Sequence, residues 1–306
     1  MSKDAVALLC ADLHLCHTPP VARAAEPDWY KAMSRVLGQL RAMARGYPDA
    51  VIICAGDLFD RWNVCPELIN FALNELPHMA TIPGQHDMPH HSFDNMQKSA
   101  YTTLVLEGLI EDLTMSRGFC GAGQVEVHGY PWGFDISKDQ LDGHYMNVAV
   151  IHKYIWKIGQ GYPGAPEDSK VGAYRDQLRP YDVAVFGDNH MGFTSRVAGC
   201  RVYNCGCLIR RKSNERAYKP SVGVLFDDGS VERVYLDASE DLWVDDVGVG
   251  EVESVRGLDE FLVELIGLNE DSLDFRDAMN RFVRDNNVSD GVQDAILDAM
   301  GDQVQG

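Results

Sequence analysis

The residues able to do chemistry stand in five short clusters, each directly behind an apolar run. They are Asp12-Leu13-His14, Gly56-Asp57-Leu58-Phe59-Asp60, Gly84-Gln85-His86-Asp87, a single His152, and Gly187-Asp188-Asn189-His190. Each piece alone has a plain structural explanation. Asp-Leu-His fits a turn with a helix cap, and a lone histidine is more often a hydrogen-bonded core residue than a ligand. Together the clusters offer three imidazoles (His14, His152, His190), three carboxylates (Asp12, Asp57, Asp188) and the carboxamide of Gln85. A mixed nitrogen–oxygen set of this kind suits two divalent ions such as Mn²⁺ better than a thiolate zinc site does. Two ions about 3.5–4 Å apart activate water and hold a phosphate oxygen during in-line displacement.

Chemistry at five separate points needs a scaffold that gathers it. The runs Ala5–Ala11, Ala50–Ala55, Met79–Ile82, Asn147–Ile151 and Asp182–Phe186 are rich in Val, Ile and Ala and do not alternate. Such runs read as strands buried on both faces. Helical periodicity fits Asp28–Ala44, Pro66–Leu76 and Gln97–Leu109. Trp29, Met33, Val36, Leu37 and Leu40 share one stripe, and Pro66 suits a first turn. The alternation predicts an α/β fold, in which the carboxyl ends of parallel strands converge on one crevice. Later strands at Arg201–Asn204, Val222–Phe226 and Val231–Tyr235 follow without helices, and Asp227-Asp228-Gly229 reads as a hairpin turn. The Gly- and Pro-rich residues 157–180 read as a long loop. Beyond Trp243 three short amphipathic helices are expected at Leu258–Leu268, Ser272–Asp285 and Asp290–Met300. The expected domains are therefore a catalytic domain over 1–240 and an acidic helical appendage over 241–306, either a partner-docking element or a reduced cap.

The 306 residues carry a net charge of −19, from 46 acids and 27 Lys or Arg. Residues 226–306 hold 22 acids against 5 arginines, so they carry −17 of it. That segment repels phosphate within about 8 Å at physiological salt. One stretch reverses the sign: between 191 and 220 lie Arg196, Arg201, Arg210, Arg211, Lys212, Arg216 and Lys219 against Glu215 alone. It reads either as a phosphate-attracting patch, with Arg210, Arg211, Lys212 and Arg216 as candidate nucleic-acid contacts, or as a solvated hairpin face. Eight cysteines include no CxxC pair and read as structural thiols. No apolar run approaches the ~20 residues of a membrane span. Asp12 comes too early for a secretory signal, so a cytoplasmic location and no membrane partner are expected.

The ordered set D-x-H, GD-x-x-D, GQHD, a lone histidine, and GDNH resembles the calcineurin-like metallophosphoesterases over roughly residues 5–235. Within that superfamily the stretches GQHDMPHHSFDN (84–95), HKYIWKIGQGYPGAP (152–166) and NCGCLIRRKSNERAYKP (204–220) resemble SbcD-type DNA repair nucleases and their phage counterparts. The resemblance implies a four-layer α/β/β/α sandwich with a two-metal centre. It places Asp12, His14, Asp57 and His190 on one ion, and Asp57, Gln85, His152 and Asp188 on the other. The ions implied are Mn²⁺, with Mg²⁺ as the alternative. His86 faces the scissile phosphate as acid or stabiliser, Asp87 orients its imidazole, and Asp60 is an outer carboxylate. Two departures stand out: Gln85 replaces the usual Asn, and Asp188 replaces the usual His. The second adds a negative charge and tilts the site toward harder ions.

The resulting expectation is a metal-dependent DNA nuclease, the catalytic subunit of an SbcCD-like complex. Its implied partners are DNA, an SMC-like ABC ATPase of the SbcC type and a second copy in a homodimer. The alternative is a phosphoesterase for a small phosphodiester, a nucleotide or a phosphoprotein, and a third reading is a scaffold that keeps the fold without turnover. His90 and His91 either line the substrate groove or are solvated loop residues.

Overall fold

The computed structural model describes residues 3–114, 117–120, 124–136, 141–159, 161–162 and 164–244. The chain divides after Gly248, and all described residues lie before that point. The three helices expected past Leu258 lie outside the described residues.

Two six-stranded sheets face one another. The first is built from β1 (Ala5–Cys10), β2 (Val51–Cys54), β3 (Met79–Thr81), β4 (Ile110–Asp112), β11 (Ser221–Phe226) and β12 (Val231–Tyr235), in the order β12-β11-β1-β2-β3-β4. β1 to β4 are parallel, while β11 runs antiparallel to β1 and to β12. The second sheet takes β5 (Arg117–Cys120), β6 (Val125–Tyr130), β7 (Met146–His152), β8 (Val183–Gly187), β9 (Phe193–Val197) and β10 (Cys200–Asn204), in the order β5-β6-β7-β8-β10-β9. Its central four strands are parallel and its edge strands antiparallel.

The period of two explains the layers. On β1, Leu8 and Cys10 face a core shared with α1 (Trp29–Gly46), α2 (Pro66–Glu75) and α3 (Ala100–Leu106), while Ala7 and Leu9 face the other sheet. On β7, Val148 and Val150 face inward to the first sheet, while Ala149 and Ile151 meet Leu178 of α4 (Arg175–Leu178) and Tyr181. Every central strand is thus apolar on both faces, which is why its sequence does not alternate. The result is the four-layer α/β/β/α sandwich. Asp28 caps α1 by accepting from the Lys31 amide, and Pro66 starts α2.

Two expectations change. The helix expected over Gln97–Leu109 is shorter, because residues Phe93–Lys98 form a tight 3-10 turn ahead of α3. The loop expected over 157–180 contains two short 3-10 turns, Glu167–Ser169 and Val171–Tyr174, before α4. The five chemistry-bearing strands are divided between the two sheets of the sandwich: β1, β2 and β3 belong to the first, β7 and β8 to the second. Asp241 and Trp243 pack on the sandwich, where Asp241 pairs with Arg23 and Arg210 and Trp243 lies under both guanidinium groups. All eight cysteines are free. Among the described residues no helix is long and apolar enough to cross a membrane.

Candidate metal centre

The carboxyl ends of the two sheets bring the five clusters to one point. Past β1 and β2 the chains stay paired: the Asp12 amide donates to the Gly56 carbonyl and the His14 amide to the Asp57 carbonyl, both at 3.0 Å. Asp12, His14, Asp57 and Asp188 all hold positive φ, between 45° and 83°. Four left-handed side-chain-bearing residues in one cluster store strain of order 1–3 kcal/mol each, a pattern that gathers at functional sites. Gly84 is required here, since a Cβ would collide with the Asp57 carboxylate.

Asp57 occupies the middle. Its Oδ1 accepts from the His86 amide at 3.0 Å. Its Oδ2 lies 3.6 Å from His14 Nε2 and 3.4 Å from His152 Nε2, so it stands between the two ligand sets. On one side His14 Nε2 and His190 Nε2 face each other at 3.1 Å, with Asp12 beside them. Asp12 accepts from the Asp188 amide at 3.0 and 3.1 Å. On the other side His152 donates from Nδ1 to the Ala55 carbonyl at 2.6 Å, which turns Nε2 toward Asp57.

The two sequence departures meet. The Gln85 amide donates to Asp188 Oδ1 at 3.0 Å. The extra methylene of Gln thus serves a purpose: it carries the amide nitrogen to the carboxylate that stands in the place of the usual His. The opposite end, Gln85 Oε1, is buried without a hydrogen-bond partner among the described residues, as are Asp57 Oδ2 and His152 Nε2. Buried polar atoms without partners are rare and ask for an explanation. Divalent ions supply one, and the oxygen–nitrogen donor set fits them.

Electrostatics agree. Burial raises the Asp12 pKa to about 6, against the pull of His190 and His152. Burial also raises Asp57 and Asp188, but at Asp57 the opposing His152 and His86 win and hold it below the ordinary value. His14 is driven well below its ordinary value by burial, then by Arg211 and His190. His152 moves the other way: burial opposes its charge, and Asp57, Asp188 and Asp12 overcome that. Packed carboxylates and imidazoles with no mobile counter-ion shift one another in this manner, and an ion entering would replace the protons.

Two side chains differ from their expected tasks. Asp87 does not orient the His86 ring. It is fully buried and its oxygens accept from the amides of Leu58, Phe59 and Gly84 at 3.0–3.2 Å. It clamps the loop that carries Asp57 to the loop that carries Gln85. His86 is oriented instead by the Asp60 carbonyl, which accepts from its Nδ1 at 2.8 Å. Asp60 also lies 3.8 Å from His14 Nδ1 and 2.7 Å from an Arg211 guanidinium nitrogen.

Arg210 is likewise not a surface contact. It is 9% exposed and reaches Asp241 at 2.9 Å and the carbonyls of Arg216, Tyr218 and Ala238. Its donors are used inside the fold, so the basic patch loses one member. Arg211 turns to the centre, while Lys212 and Arg216 are exposed.

One residue escaped the sequence reading. Glu215 is buried and accepts from His190 Nδ1 at 2.6 Å, freeing His190 Nε2 for the site. Its other oxygen accepts from the amides of Arg211 and Lys212. The signal was present: Glu215 is the only acid in a strongly basic stretch, three residues after Lys212.

A family model for calcineurin-like phosphoesterases matches residues 6–192, more than half of the chain and all seven candidate ligands. The chain belongs to that family. This calcineurin-like phosphoesterase is therefore a hydrolase of phosphoric esters, and its family uses a dinuclear divalent-metal centre. No curated protein matches the sequence. Among solved structures, a protein of Thermus thermophilus is 11% identical with a TM-score of 0.45, over 76% of this chain and 99% of its own. The Thermus thermophilus sulfate thiohydrolase SoxB is also 11% identical, with a TM-score of 0.44 over 90% of this chain. Only 62% of its own length is covered, so this chain spans under two thirds of it. The calcineurin-like phosphoesterase YfkN from Bacillus subtilis is 12% identical, with a TM-score of 0.42 over 79% of this chain and 88% of its own.

Proposed function

We propose that this phosphoesterase is a metal-dependent DNA nuclease of the SbcD type, paired with an SMC-like ATPase. The observation that carries its phosphodiester chemistry is Asp57 Oδ2, buried, unpartnered and set between His14 and His152. One ion would be held by Asp12, His14, Asp57 and His190, the other by Asp57, Gln85, His152 and Asp188. Bound there, Mn²⁺ or Mg²⁺ supplies an activated water and charge stabilisation on the phosphate.

The protein's own residues do the rest. His152 and His190 have their Nδ1 protons fixed by Ala55 and Glu215, so each presents Nε2 as a lone-pair donor. His86 has its Nδ1 fixed on the Asp60 carbonyl, which leaves Nε2 as the atom that can carry a proton to a departing oxygen. Arg211 pairs with Asp60 at 2.7 Å and so brings a positive charge to the edge of the site beside His14. The preference for DNA rests on the SbcD-like stretches at 84–95, 152–166 and 204–220. A second reading, a phosphoesterase for a small diester, draws support from Arg210, whose charge is neutralised inside the fold.

The test is cleavage of end-labelled single- and double-stranded DNA with Mn²⁺, beside hydrolysis of bis-nitrophenyl phosphate. Asp57→Asn and His86→Ala both lose activity, and His86→Ala keeps its metal. Diester hydrolysis without any DNA cleavage, with the ATPase partner present, sinks the nuclease reading and leaves the small-substrate one.

A further inference from the structure

Beside the centre four aromatic rings form a row on the loops that follow β2, β3 and β6. Trp62 and His90 lie 5.7 Å apart between ring centroids, and His91 and Trp132 lie 5.9 Å apart. Both pairs are tilted at 52°, so neither is a closed stack. His90 and His91 are exposed, and Trp132 is 36% exposed. Phe134, two residues past Trp132, is 39% exposed and edge-on to Phe93. Rings left in water are apolar area that a fold could have buried, and clusters of them on a monomer mark binding surfaces.

The row is rigidly tied to the centre. His91 Nδ1 donates to the Gln85 carbonyl at 3.1 Å, and the Trp132 amide donates to the Pro83 carbonyl at 3.3 Å. Trp62 stands two residues past Asp60, and its carbonyl accepts from the Ala100 amide at 2.8 Å. His90 and His91 are consecutive left-handed residues, at φ 54° and 55°. That backbone costs free energy at each residue and turns two adjacent rings outward, one toward each tryptophan.

Charge narrows the ligand. Residues 1–225 carry a net of −2, and Arg210 is withdrawn. Phosphate contacts alone therefore hold a polyanion poorly. Aromatic faces bind bases without regard to sequence, at about 1–3 kcal/mol per stacked base. Bases within a duplex have their faces already covered.

We infer that Trp62, His90, His91 and Trp132 form a nucleobase-stacking subsite that takes unpaired bases of single-stranded nucleic acid next to the metal centre. This rests on the nuclease reading above, and it assigns a role to two histidines that otherwise read as solvated loop residues.

The experiment measures binding of metal-loaded, full-length protein to a phosphorothioate oligothymidylate, which resists hydrolysis, by tryptophan fluorescence. The strand quenches the fluorescence, and a blunt duplex of equal length binds more weakly. Trp132→Ala and Trp62→Ala each weaken strand binding by about 5–150-fold, the span of one stacked base, while the phenylalanine variants retain most of it. Circular dichroism of each variant establishes that it is folded. Equal affinity of the folded alanine variants and the wild type, or tighter binding of the duplex, overturns the subsite. If the wild type cuts single strands while those variants bind them normally, the subsite falls and the nuclease reading stands. If it hydrolyses only the nitrophenyl diester and binds no strand, both fall.

Discussion

Replacing Glu215 by Gln tests how the centre is held from outside. The carboxylate sits 2% exposed, with His190 on one oxygen and two backbone amides on the other. Burial opposes its charge, but His190 and those amides overcome it and lower its pKa from 4.5 to about 2. At about 1.4 kcal/mol per unit this corresponds to about 3 kcal/mol of stability at neutral pH. The sign follows from the depressed value: the stability is present above pH 4.5 and lost as pH falls toward 2. His190 is raised by the same partner, so its share is present below 6.5 and lost as pH rises through its folded value. Glu215→Gln keeps the shape and removes the charge. In chelator at pH 6, urea unfolding is expected to show a loss of about 1–3 kcal/mol. Metal titration is expected to show affinity weakened about 10–100-fold, as for other carboxylates behind ligand histidines. A variant with wild-type stability and wild-type affinity would refute the claim that Glu215 fixes His190 as a ligand.

Three further outcomes follow from the same geometry. Asp188→His alone strands the Gln85 amide, so it is expected to lower Mn²⁺ affinity, whereas Asp188→His with Gln85→Asn shifts preference toward zinc or cobalt; calorimetry with each ion decides. Arg210→Met leaves Asp241 with a charge uncompensated on one side and is expected to destabilise the protein by about 3–5 kcal/mol in urea unfolding. A folded variant with altered DNA affinity and unchanged stability would restore Arg210 to the binding surface. Burial raises Asp12 to about 6 and Asp87 to about 7, so metal-free folded protein holds more protons than unfolded chain above the ordinary 3.8. The contribution of these two carboxyls to stability therefore falls as pH rises from about 4 to 7. A divalent ion held at Asp12 would take its charge, so the gap in Tm between Mn²⁺-loaded and chelated protein is expected to widen over that range.

Much of the site was legible in the chain. Asp12, His14, Asp57, Gln85, His152, Asp188 and His190 all come to one point, because each follows an apolar run that had to be a strand. The short strands β4, β5, β6 and β9 were not read. β4 has only three residues, and β9 alternates buried and exposed positions within a polar sequence. Asp87 was given the task of orienting His86 by the family resemblance, and the fold uses it elsewhere. In a 3-10 turn neighbouring side chains diverge, and this one turned inward to three orphaned amides. Arg210 and Arg211 are also neighbours with opposite fates: one pairs with Asp241, the other with Asp60.

By itself the sequence determined the strand-end placement of the candidate ligands, the oxygen–nitrogen character of that set and the family. Those follow from local pattern and residue chemistry, which need no partner to be read. The two-sheet sandwich was implied by the resemblance, but only the tertiary structure decided how its strands are ordered and which of them meet at the centre, since a strand buried on both faces looks the same in either sheet. It alone also decided that Gln85 bonds Asp188, that Glu215 stands behind His190, and that Arg210 is buried. Each of these is a contact across a long stretch of chain, set by how the layers pack and not by any spacing along it.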